Sequence, residues 1–202
     1  MLVRNPPLDR LAMLVDYMKE TASEFVIVDT GSDIETIQAM ARWNKAPFGL
    51  PKITIIRAPW RDDFAAARNI GVDACTRKWT LILDPDELPS LPMVIDIRRV
   101  VTTNDQPEAL GWLYFTRNFS AGILDPEQEF HWHVRLFRTG KGRFYRALDE
   151  LVQLDGAPEL DTRGTPRLPK APKACYLIHS KSSDAIEQSQ RLYERLSQTA
   201  TI

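Results

Sequence analysis

Four apolar runs punctuate the first eighty-odd residues, and polar turns and helical periods separate them. Leu2 and Val3 end a very short first run; Phe25–Val28, Ile53–Ile56 and Trp79–Leu83 are the others. Leu8, Leu11, Val15 and Met18 recur at helical spacing after the first, with Pro6 and Pro7 at a position that suits a helix start. Asp33 is placed to cap a second helix carrying Ile34, Ile37 and Met40 on one face. Phe64, Ala67, Gly71 and Ala74 lie on one side of a third. A chain that alternates strand and helix in this way is restricted to parallel βα units, whose strand-to-helix loops gather on one edge.

The fourth run carries the chemistry. Leu81, Ile82 and Leu83 stand in a row without alternation, as in a strand buried on both faces. The strand stops at Asp84-Pro85-Asp86-Glu87, because proline has no N–H for the ladder. Asp84 and Asp86 thereby fall at a carboxyl-terminal strand edge, where open α/β sheets bind ligands. Two aspartates so placed can hold a divalent cation that in turn holds phosphates. A polar turn with an aspartate cap is the plain alternative for an isolated D-x-D. Asp29, ending the second run on the same expected edge, argues for a site. Asp29-Thr30-Gly31-Ser32 can bring backbone N–H groups near a phosphate or base, or can serve only as a tight capped turn. It is neither G-x-G-x-x-G nor a Walker loop. Arg68, in a helix otherwise lined by alanines, can reach over this edge toward a diphosphate, or can be a solvated charge.

The second half reads differently. Trp112–Phe115 and His131–Arg138 look like strands without a clear helix between them, the latter with Trp132, Val134 and Leu136 on one face and His131, His133 and Arg135 on the other. The two histidines could pair on a metal, but no third ligand accompanies them. Residues 155–173 hold four prolines and read as a loop, and Ile186, Ser189, Tyr193 and Leu196 suggest a final amphipathic helix. Net charge is −1, which favours neither nucleic acid nor an anionic membrane. The tryptophans lack the basic interleaving of a nucleic-acid platform and read as core or sugar-stacking residues. The two cysteines belong to no paired motif, no apolar run approaches a membrane span, and no secretory leader is evident, so a cytoplasmic protein is expected.

Val26-Ile27-Val28-Asp29-Thr30-Gly31-Ser32, then Asp63-Phe64 with Ala67-Arg68-Asn69, then Trp79 to Glu87, in this order and spacing, resembles family 2 glycosyltransferases of the GT-A fold. Arg135-Leu136-Phe137-Arg138, the pair Asp149-Glu150 before Leu151, and His179 extend the likeness over roughly residues 2–180. The resemblance implies an α/β fold with an open, mostly parallel sheet flanked by helices, and a small antiparallel element on the acceptor side. One domain would span residues 1–180, its nucleotide-sugar half 1–90 and its acceptor half 91–180, with a helix at 181–202. It further implies a nucleotide-sugar donor and Mn²⁺ or Mg²⁺. Asp29 would contact the nucleobase, Asn5 would lie in the nucleotide pocket, and Arg68 near the diphosphate. Asp84 would reach ribose or metal, Asp86 the metal, and His179 would be a further metal ligand. The base that takes the acceptor proton would lie in Asp149-Glu150; relatives with the R-L-F-R block have His at the place of Asp149, so both residues stay candidates. The implied activity is inverting transfer of a sugar, from a UDP-sugar by first choice, to an acceptor hydroxyl on a glycan, lipid or protein. A glycosyltransferase-like binding module is the alternative. A nucleotidyltransferase fits less well, because Arg4-Asn5-Pro6-Pro7 is not a Gly- and basic-rich loop.

Overall fold

The computed structural model describes residues 1–43, 51–103, 106–120, 123–124, 132–148, 150–155 and 168–181. Asp149, His131 and the segment read as a C-terminal helix lie outside them. The chain runs β1 (Leu2–Val3), α1 (Leu8–Met18), β2 (Glu24–Asp29), α2 (Ile34–Ala41), β3 (Lys52–Arg57), α3 (Phe64–Asp73) and β4 (Trp79–Leu81). It continues as β5 (Glu87–Pro89), α4 (Leu91–Thr103), β6 (Gly111–Ser120), β7 (Ile123–Leu124), β8 (Trp132–Arg138), β9 (Gly142–Tyr145), β10 (Leu151–Leu154) and β11 (Tyr176–Lys181).

The expected α/β architecture with a parallel sheet is present. β1, β2 and β3 form that sheet, in register from Leu2 beside Val28 to Asp29 beside Arg57. β4 differs from expectation. It pairs antiparallel with β8 and so opens a second, mixed sheet in the order β4-β8-β6-β11-β5, with β7 on β6. A cavity of about 360 Å³ separates the flanks of β2 and β4, lined by Phe25 and Val26 on one side and Thr80 and Leu81 on the other. Its lining is mainly apolar and includes none of Asp29, Asp84, Asp86 or Glu150. β9 and β10 make a separate antiparallel hairpin, which matches the small antiparallel element.

Two apolar clusters flank the mixed sheet. Trp112, Tyr114 and Leu136 pack under α1 and α4 with Leu11, Leu14, Met93 and Ile97. Leu113, Val134 and Phe137 pack with Ala65 and Val72 of α3 and with the β9–β10 hairpin. Leu136 and Val134 thus enter different clusters, against the shared face expected from their spacing. The register explains this: Trp112 faces Leu136 but Leu113 faces Val134, so Arg135 is an extra residue opposite β6. Such a bulge turns the following side chains over and re-aims its own. On α2, Met40 is fully buried but Ile34 is 56% exposed. The helix start, capped by Asp33 accepting the Thr36 N–H at 2.8 Å, is exposed.

Helix α3 is held from two sides. Asp63 caps it by accepting the Ala66 N–H at 2.8 Å. A Cβ at Gly71 would meet Val28 Cγ2 at 3.0 Å, so glycine permits the close approach to β2. On the other side the Asn69 amide donates to Phe144 O and accepts from Phe144 N–H, both at 2.9 Å, which imitates a strand partner. This clamp, and the Phe64 N–H to Ala147 O bond at 3.0 Å, fix α3 against the chain that leads into Glu150.

Candidate active site

The carboxyl ends of β2 and β4 both carry acidic turns. Asp29 is 1% exposed. Its Oδ1 accepts the Ser32 N–H at 3.0 Å, while Oδ2 is buried with no partner among the described residues. A buried carboxylate oxygen without a donor is costly to keep, and it can accept an N–H or O–H. Asn5, at φ 45°, ties two loops together: its N–H donates to Ser32 Oγ at 2.7 Å, and its Oδ1 accepts the Asp33 N–H at 2.8 Å. Asn5 therefore shapes the loop beside Asp29.

Arg68 projects from α3 between two carboxylates. Nη1 and Nη2 donate to the two oxygens of Asp84 at 2.7 and 3.0 Å, and Nε donates to Glu150 Oε1 at 2.5 Å. The Phe144 ring lies 5.5 Å from its Cζ. Burial opposes the charge on Arg68, but Asp84 and then Glu150 outweigh it and raise the guanidinium further above its ordinary value. Burial would likewise raise the Asp84 carboxyl, yet Arg68, helped by Arg135, holds it well below the usual carboxylate range. The polar turn is fixed from behind. Glu87 Oε2 accepts the Asp84 N–H at 2.9 Å, and Glu87 Oε1 accepts from Arg135 Nη2 at 2.6 Å. Burial pushes the Glu87 carboxyl up, against the pull of Arg135. Arg135 is the bulged residue of β8, and its side chain is the one that reaches Glu87.

Strand pairing brings in the histidine. β11 pairs with β5 and β6 so that His179 lies between Glu87 and Asn118 in one row. His179 Nδ1 is 2.7 Å from Asn118 Oδ1, and Nε2 is 3.1 Å from Asp86 Oδ2. Asn118 Oδ1 accepts from Nδ1, and Nε2 is turned to the Asp86 carboxylate. A ring nitrogen and a carboxylate oxygen at this distance can share a proton or a metal ion. A histidine whose far nitrogen is held by a hydrogen bond is how proteins orient metal ligands, and N and O donors suit Mn²⁺. Among the described residues no group of three or more His, Cys, Asp and Glu could hold a metal. Asp86 and His179 thus form a pair, and further ligands would come from substrate or water.

Sequence reasoning named Asp29, Arg68, Asp84, Asp86, Glu150 and His179, and the structure brings Arg68, Asp84 and Glu150 into one contact group and Asp86 and His179 into another. Asp84 is turned to Arg68 rather than to the histidine. Asn69, Glu87, Asn118 and Arg135 were not foreseen in these supporting roles. The one signal for Glu87 and Arg135 was their place inside recognised motifs. His133 is half-buried on β8. Trp79 and Trp112 pack edge to face at 5.8 Å, which makes them core residues.

A parallel sheet with an acidic turn after β2, beside a mixed sheet that carries the Asp84–Glu87 turn and His179, is an arrangement of the GT-A fold. The chain belongs to glycosyl transferase family 2, whose family model matches residues 8–112. It superposes on TarS of S. aureus with a TM-score of 0.56 at 12% identity, covering 95% of this chain and 38% of that one. The mannosyltransferase PcManGT of Pyrobaculum calidifontis, in complex with GDP-Man and Mn²⁺, matches 57% of this chain and 34% of its own at 22% identity and a TM-score of 0.46. A TPR repeat-containing protein of Synechococcus elongatus is 35% identical over 136 residues, 67% of this chain. The chain spans 30% of the length of that curated relative.

Proposed function

We propose that this domain transfers a sugar from a nucleoside-diphosphate sugar, a UDP-sugar by first choice, to an acceptor hydroxyl with inversion. The observation that carries the reading is the set of acidic groups in the turns that follow β2 and β4: an Asp29 oxygen without a partner among the described residues, Asp84 on Arg68, and Asp86 facing His179. In this reading the Asp29 Oδ2 accepts an N–H of the nucleobase, as the family resemblance implies. Arg68 offers guanidinium N–H groups to the diphosphate, for which a planar fork is well suited. Asp86 and His179 would hold Mn²⁺ or Mg²⁺, which supplies positive charge where the nucleoside diphosphate leaves. Glu150, its side chain 12% exposed beside Arg68, would take the proton of the acceptor hydroxyl as that oxygen attacks the anomeric carbon. The C–O bond to the diphosphate breaks as the new glycosidic bond forms.

Calorimetric titration with UDP and Mn²⁺ tests the donor half. Saturable binding is expected, weakened at least tenfold by Asp86→Ala. Absence of binding to the wild type, with UDP and with GDP, would refute the transferase reading. Binding left intact by Asp86→Ala would remove the metal role from Asp86.

A further inference from the structure

Arg68 joins the group that faces the donor to the group proposed as the base. Three of its N–H vectors are committed, two to Asp84 and one to Glu150. The two-point contact to Asp84 is a bidentate fork, while Glu150 is held by a single oxygen, through Nε. The side chains are little exposed, 13% for Arg68 and 12% for Glu150, so water replaces these contacts poorly. The helix that carries the guanidinium is fixed, because α3 is clamped to β9 through Asn69 and packs closely on β2 at Gly71. The contact commits Glu150 Oε1 and holds the side chain against Arg68.

We propose that Arg68 is a positioning residue that couples donor occupancy to Glu150. Without donor it ties Glu150 back. An arriving diphosphate competes for the guanidinium, the single-point contact yields before the fork, and Glu150 is released to face the acceptor. The inference rests on the donor reading above and adds an order of events: Glu150 becomes able to take a proton only after the diphosphate is in place. It also places a cost on donor binding, since the Nε–Oε1 contact must be given up.

That cost can be measured without turnover. Glu150→Gln removes the competing charge, so UDP or GDP, titrated with Mn²⁺, is expected to bind about fivefold more tightly than to the wild type. Glu150→Asp, one methylene shorter, keeps the charge but loses reach, and is expected to give a smaller gain. Arg68→Lys, which cannot span both carboxylates, is expected to bind more weakly than the wild type. A merely structural Arg68–Glu150 tie would leave nucleotide affinity unchanged or lower in Glu150→Gln. Wild-type binding with no gain in either Glu150 variant therefore overturns the coupling and leaves the donor reading standing. No binding by wild type or variants overturns both. Thermal melts of each variant identify any loss of fold, and if Glu150→Gln is unfolded, Glu150→Asp decides by the same criterion.

Discussion

Arg135→Met puts the support of the acidic turn to a direct test. Glu87 is 4% exposed and has two partners, the Arg135 guanidinium at 2.6 Å and the Asp84 N–H at 2.9 Å. Methionine keeps the stem of the side chain and removes the charge, leaving the Glu87 carboxylate buried with one neutral donor. Breaking a buried pair from one side costs about 3–5 kcal/mol. The surviving Asp84 N–H bond places this case at the lower end, about 3 kcal/mol. With a urea slope of about 2 kcal/mol/M, the unfolding midpoint moves down by about 1.5 M. The pH dependence has a definite sign. Burial already raises the folded Glu87 carboxyl above its ordinary value, and losing Arg135 raises it further. A raised acid stabilises the fold below its unfolded value, about 4.3, and loses that contribution as pH rises through the folded value. The deficit of Arg135→Met is therefore expected to be largest near pH 7 and to shrink on acidification toward about pH 5. Adding Glu87→Gln is expected to recover most of it, because the unpaired charge is gone. Urea unfolding followed by tryptophan fluorescence at the two pH values reads all of this. A deficit below about 1 kcal/mol, or one that grows on acidification, would refute the reasoning.

Three further outcomes are expected. Turnover, if the metal role of Asp86 and His179 holds, is lost in EDTA and restored by Mn²⁺ or Mg²⁺; full turnover in EDTA contradicts it. Gly142→Ala would place a Cβ 2.6 Å from the ring of the fully buried Phe137, and overpacking of this kind costs about 1–3 kcal/mol in a urea melt; an unchanged midpoint would show that the ring can move. Asp84, held well below the usual range by Arg68 against burial, contributes stability above its unfolded value of about 3.9 and loses it as pH falls through the folded value. The wild type is accordingly expected to lose stability more steeply below about pH 4 than Asp84→Asn, and parallel acid titrations would contradict this.

The donor half of the fold was legible because its signals are local. Each apolar run ends at a polar turn, Asp33 and Asp63 cap the helices that follow, and Asp29 and Asp84 end β2 and β4 or their extensions. What was not legible depends on pairing across distance. The antiparallel match of β4 with β8 cannot be read from β4, whose three residues suit either direction. Helix α4 carries Asp96 on its buried face, where Tyr114 Oη donates to it at 2.9 Å and Arg99 pairs with it, and a buried carboxylate interrupts the apolar spacing that marks a helix. The bulge at Arg135 shifts every later side chain of β8 by one face, and spacing alone predicts the unshifted pattern. The candidate site follows the same division. Motif residues could be named in advance. That Arg68 would bind both Asp84 and Glu150, 16 and 82 residues away, depended on the Asn69 clamp and the β9–β10 hairpin.

The central claim is donor chemistry at the β2–β4 edge, and its most direct test is release of nucleoside diphosphate from a panel of nucleotide sugars with Mn²⁺ present. Release of UDP or GDP from at least one donor, abolished by Asp86→Ala and by Arg68→Met, is the predicted result. No release from any donor, or release that persists in both variants, would contradict the account.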